Sequence, residues 1–168
     1  MSREQIISSL ESAIVELTDA YTQMREILSV QIKAVVRNNI DGINDGTEQQ
    51  IEQNALIQSL ETRFRLELLD AFEAVAPDNA SKKLSELILF FPEAKDKLIE
   101  LREGLIFTIT RTQHKQEQLV NLLEFARQHT TETLRAIHAM GNEKNTSYNI
   151  AGKTAQHQNQ SIAINQTA

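Results

Sequence analysis

The feature that most constrains this chain is a heptad between Ile7 and Val35. With Ile7 at position a, Ile14, Tyr21, Leu28 and Val35 also fall at a, and Leu10, Leu17 and Met24 fall at d. Gln31 alone breaks the apolar d row. Ile6, Ala13, Ala20, Ile27 and Ala34 recur in step beside it. A strict seven-residue repeat keeps one seam toward a partner helix. The second row widens the stripe beyond what a two-stranded coil needs, to the width of a bundle face. A helix of about 37 residues runs ~55 Å and cannot bury such a stripe on itself. Another part of the chain, or another chain, must cover it.

The 168 residues allow one domain, or one domain with a tail. Cysteine is absent, which removes disulfides, thiolate metal sites and a catalytic thiol. No apolar run reaches the roughly 18 residues of a membrane span. The segment Met1 to Gln5 has no apolar secretory core. The net charge is -6 and there is no basic run, which argues against nucleic acid as a partner. Trp is absent and aromatics are 5%, so base-stacking platforms are not expected.

Most glycines and prolines fall where helical periodicity falters, and no alternating β-branched runs are bounded by turns. We therefore assign no strands and expect an all-α fold: an elongated antiparallel helical bundle or coiled coil of three to four helices. The helices are placed at about 3–39, 41–76, 79–91 and 92–140, forming a bundle over 1–141 with a flexible polar tail over 142–168. Ser2 and Gln5 have capping-box spacing. A turn is expected near Asn38 to Asp41, with the second helix firming up after Gly46. Pro77 stops that helix by Ala76. The patch from Leu87 to Phe91 is apolar all round, so both of its sides should be covered. Pro92 suits the first turn of the last helix. That helix carries a stripe of Leu98, Leu101, Leu105, Ile109, Thr112, Gln116, Leu119, Leu123, Ala126, Thr130, Leu134 and Ile137. Its middle, Thr110 to Gln118, is polar on every face, so it either lines a hydrogen-bonded layer or projects beyond the shorter helices. Gly104 should permit close helix approach, and Gly141 should end the helix.

Chemistry is hard to find. His114 and His138 stand too far apart to share a ligand sphere, and no His/Glu pair has di-metal bundle spacing. His114 as a phosphotransfer residue lacks a following glycine. Gly42 and Gly46 lack the Lys-Ser/Thr of a phosphate loop. Carboxylates such as Glu11, Glu16 and Asp19 read as solvated faces. No catalytic residue, cofactor site or metal site is assigned, and the chain is not expected to be an enzyme. Tyr148 differs from the other polar-tail residues: it is a large ring with no core to join, which favours a contact with a partner.

The arrangement resembles the FlgN family of flagellar export chaperones. The first two helices meet at a short polar break, from Met24 through Leu28 to Asn39 and Ile43, followed by Glu52 to Leu60 with its Ala55, Leu56 run. The last helix carries Gln113, Gln116, Leu119 and Val120 where the family has an Asn-x-x-Asn-x-x-Leu-Leu-like segment, with Gln replacing Asn twice. After it, Tyr148, Asn149, Ile150, Ala151 and Gly152 match a Tyr-x-x-x-Gly element in a flexible tail. The resemblance implies a cytoplasmic chaperone of type III protein export in flagellum assembly. It implies binding of hook-associated proteins of the hook–filament junction through their C-terminal helices, and delivery to the export gate. It also implies docking of Tyr148, with Gly152 as companion, on the cytoplasmic domain of the gate protein FlhA. Partner contacts are expected from Leu119, Leu123, Leu134 and Ile137 on the last helix and from Tyr148, Ile150 and Gly152 in the tail. The alternative is a structural scaffold without a client, a homodimer through Ile7 to Val35.

Overall fold

The computed structural model describes residues 2–79, 82–143, 146–148 and 154–156. Four α-helices account for most of them: α1 (Arg3–Val36), α2 (Ile40–Val75), α3 (Leu84–Leu87) and α4 (Lys95–Glu143). The fold is an all-α helical bundle. It divides into two compact units, Met1–Leu123 and Glu124–Ala168, whereas the sequence reading put the division after residue 141. The division falls where α4 stops burying side chains: nearly every described residue after Leu123 is exposed.

The start of α1 follows from its cap. Ser2 Oγ accepts from the Gln5 backbone N–H at 3.3 Å, and Gln5 Oε1 accepts from the Ser2 N–H at 2.9 Å. Two otherwise orphaned donors are thereby satisfied. The helix ends at Val36, before Asn38, whose φ of 52° is left-handed. Asn tolerates that region better than most residues. Asn39 then caps α2, its Oδ1 accepting from the Gly42 N–H at 3.2 Å. This cap explains why α2 begins at Ile40, within the expected turn, and is already regular before Gly46.

Both rows of the α1 heptad are used. Leu10, Leu17, Met24 and Gln31 of the d row are buried, together with Ile6, Ala13, Ala20 and Ala34 of the companion row. Ile7, Tyr21 and Val35 of the a row are only partly covered. The alanines let α2 approach α1 closely along its length. Cross-helix bonds fix their direction: Gln31 to Thr47, Gln53 Nε2 to Ala20 O at 2.8 Å, and Glu16 to Arg63 succeed one another in antiparallel order.

α4 runs parallel to α1, since Lys97 meets Glu11 and Thr112 meets Tyr21. Its backbone lies farther off, and Leu98, Leu105 and Leu119 reach inward as side chains. At one end of the unit, Phe72, Leu87, Phe91 and Leu98 are fully buried beside Leu10 and Ile14. The apolar patch there is only half covered. Leu87, Ile88 and Phe91 are inside, while Leu89 is 69% and Phe90 36% exposed. Ile88–Phe90 is a 3-10 turn, and three residues per turn put Ile88 and Phe91 on one side. A second such turn, Pro92–Ala94, precedes α4, so Pro92 starts that turn and Lys95 starts the helix.

Two further departures concern glycine and strands. An added Cβ at Gly104 meets nothing within 4 Å, so no helix approaches there. Gly141 lies inside α4, which continues to Glu143. Beyond it, β1 (Thr146–Tyr148) and β2 (Thr154–Gln156) pair antiparallel, with Tyr148 opposite Thr154. Strands of three residues are too short to show an alternating pattern, which is why none was assigned.

Candidate interaction surface

The polar middle of α4 lines a hydrogen-bonded layer, the first of the two alternatives its sequence allowed. Thr112 is 4% exposed, and its hydroxyl lies 3.0 Å from Tyr21 O and 2.9 Å from Thr108 O. Beside it a cleft of about 250 Å³ opens between α1, α2 and α4, with Met24, Leu28 and Ile57 below and Gln58, Gln113 and Gln116 among the rim residues. Tyr21 donates to Glu61 Oε1 across this cleft at 2.6 Å. Burial, then the hydrogen bond to Glu61, push the Tyr21 phenol up to about 12. Gln31 closes the layer toward the α1–α2 turn. It donates to Ile43 O at 3.0 Å and Thr47 Oγ1 at 2.9 Å, and accepts from Gln50. The break in the d row is thus a satisfied buried amide.

Glu11 and Glu16, read as solvated, tie helices together: Glu11 meets Lys97 at 2.5 Å and Glu16 meets Arg63 at 2.8 Å. The Arg63 hydrogen bond, then that of Ser12, hold the Glu16 carboxyl below its usual range. Such partly exposed pairs contribute little to stability, because water screens them.

The apolar stripe of α4 divides by burial. Leu119 is 4% exposed and serves the core of the first unit, so it is removed from the set of partner contacts. Leu123, in the same unit, is 39% exposed. In the second unit Leu134, Ile137 and Met140 are each more than half exposed. At 100° per residue, Thr130, Thr133, Leu134 and Ile137 share one face. Thr130, Thr131 and Thr133 donate their hydroxyls to Ala126 O, Arg127 O and His129 O at 2.8–2.9 Å. Thr130 and Thr133 are exposed, so their methyl groups extend the apolar face. On the flank, Arg127 donates to Glu124 at 2.7 and 3.0 Å and holds that carboxyl below its usual range. Phe125 lies outside the stripe, its ring 6.3 Å from that of His129.

Tyr148 has its backbone in β1, and its side chain lies outside the described residues. Ile150 and Gly152 also lie outside them, as does the expected flexibility of most of the tail. Among the described residues no group of His, Asp and Glu could hold a metal ion, and no helix is long and apolar enough to cross a membrane. What α4 offers in the second unit is a strip for packing.

The family model described as FlgN protein matches residues 1–156. The chain belongs to the FlgN family. It is therefore a flagellar export chaperone in general role, and membership implies binding of flagellar proteins. No curated protein and no solved structure matches this FlgN-family chain. Sequence reasoning missed the cleft between the three helices. Its signals were Gln31 in an apolar row and the all-polar stretch after Thr110.

Proposed function

We propose that this FlgN-family chain acts in the cytoplasm as the export chaperone of hook-associated proteins of the hook–filament junction. It covers their C-terminal amphipathic helices and hands them to the export gate. The observation that carries the reading is the uncovered face of α4 in the second unit, where Leu134 and Ile137 are 53% and 59% exposed. A long helix with such a face accepts an amphipathic helix by side-by-side packing. Leu123 is a further proposed contact, within the first unit.

Titration calorimetry of the full chain with the C-terminal segment of a hook-associated protein tests this. Leu134→Glu with Ile137→Glu should weaken binding at least about tenfold, since buried apolar anchors dominate such interfaces. Helicity should not change. Absence of wild-type binding at micromolar concentration, or equal affinity of the double variant, overturns the reading. A stable homodimer with no affinity for junction proteins would support the scaffold instead.

We propose further that Tyr148, with Ile150 and Gly152, docks on the cytoplasmic domain of FlhA. The support is the family's Tyr-x-x-x-Gly element, present here as Tyr148 to Gly152. A second, tethered contact raises the effective concentration of client at the gate. Tyr148→Ala should weaken FlhA binding and leave client affinity and melting temperature unchanged.

A further inference from the structure

We infer that the groove between α1 and α4 in the first unit docks an acidic peptide segment of a partner protein. The chain carries 17 Lys and Arg against 23 Asp and Glu, yet Arg25, Arg111 and Lys115 meet in this one groove. Arg25 and Ser29 from α1 and Arg111, His114, Lys115 and Gln118 from α4 line a groove of about 500 Å³. No basic run in the sequence announces this. The parallel packing of α1 and α4 brings Arg25 level with Arg111 and Lys115.

The cations are largely unspent. Among the described residues no ion pair engages Arg25, Arg111 or Lys115. Arg111 stands over the Phe107 ring, 5.1 Å from its centre, an arrangement that leaves its N–H groups free for a carboxylate. The one carboxylate paired within the groove's lining is Glu117, 3.4 Å from His114. Arg25 and Lys115 are half-buried and both line the groove.

The groove also has peptide-binding polarity. The Ser29 hydroxyl donates to Arg25 O at 2.8 Å, which leaves its oxygen free to accept a peptide N–H. The exposed Gln118 amide can both donate and accept. A nucleic acid would bring a long polyanion against a chain of net charge -6. A flat anionic membrane would meet Arg111 and His114 at the rim but not Ser29 between the helices. A narrow acidic peptide fits both the charge and the recess. This surface is separate from the α4 face of the export reading, so either stands if the other fails.

The test is fluorescence anisotropy with the full chain and a labelled peptide of alternating Asp and Glu, beside an Asn/Gln peptide of equal length. The acidic peptide should bind preferentially, and binding should weaken as salt is raised. Arg25→Gln with Lys115→Gln should weaken it about three- to tenfold, the sum of two partly exposed charge pairs. Arg135→Gln, in the second unit, should have no effect. If the double variant loses helicity, Arg111→Gln with His114→Gln reads the same groove from one helix. Equal binding of the two peptides, or insensitivity to both double variants, overturns the inference. So does groove-dependent binding of a single-stranded oligonucleotide or of phosphatidylserine vesicles that exceeds peptide binding.

Discussion

Gly104 lies on an exposed stretch of α4, with open space where a side chain would begin. Gly104→Ala should therefore raise stability by about 1 kcal/mol through helix propensity alone, about 2–4 °C in a thermal melt of a chain this size. Gly46 is the opposite case. A Cβ there would stand 2.8 and 2.9 Å from Gln31 Cγ and Cβ, displacing the amide that bonds Ile43 and Thr47. Gly46→Ala should lower stability by about 1–3 kcal/mol despite its better propensity, read by urea denaturation. The sequence cannot tell Gly46 from Gly104, because the difference lies in what α1 places opposite. Tyr21 supplies a pH dependence. Its folded value of about 12 lies above the ordinary 10.0. Below pH 10 the phenol is protonated whether folded or not, and its contribution is fully present. Stability is lost as pH rises from 10 to 12, and Tyr21→Phe should flatten that limb of the denaturation profile.

The α1–α2 hairpin and the first half of α4 are held by different means. Small residues and buried amides lock the hairpin, whereas α4 leans on larger side chains and the Thr112 hydroxyl. Thr112→Val keeps the shape and leaves Tyr21 O without that donor. It should cost about 1 kcal/mol and increase amide exchange in α4 more than in α1. The seam of α1 was legible because seven-residue spacing survives any choice of partner. The helix ends near Asn38 were less so: a single left-handed residue and its neighbour's cap decide them, and a run of Asn, Asp and Gly offers several such places. The outward turn of Leu89 and Phe90 was not legible at all, because composition does not reveal a switch to three residues per turn.

As a whole, the chain separates a unit with its own core from one whose described helix is almost entirely exposed. A chain ending at Leu123 should keep the core of Phe72, Phe91 and Leu98, melting within about 2–4 °C of the full chain while losing the client contact proposed for Leu134 and Ile137. Of the candidate surface, the stripe could be read from spacing, since Leu134 and Ile137 follow the repeat. That Leu119 in the same stripe is spent on the core could not, because burial depends on where the neighbouring helices stop. The basic groove was hidden for a related reason: Arg25 and Lys115 meet only through the packing of α1 and α4.

Thr130 and Thr133 have already found their acceptors within their own helix. Nothing polar on that strip is orphaned when it is covered, so a visitor need supply no matching donors, only fitting bulk. Such a surface tolerates many sequences of similar shape, and any choosiness must come from its charged borders.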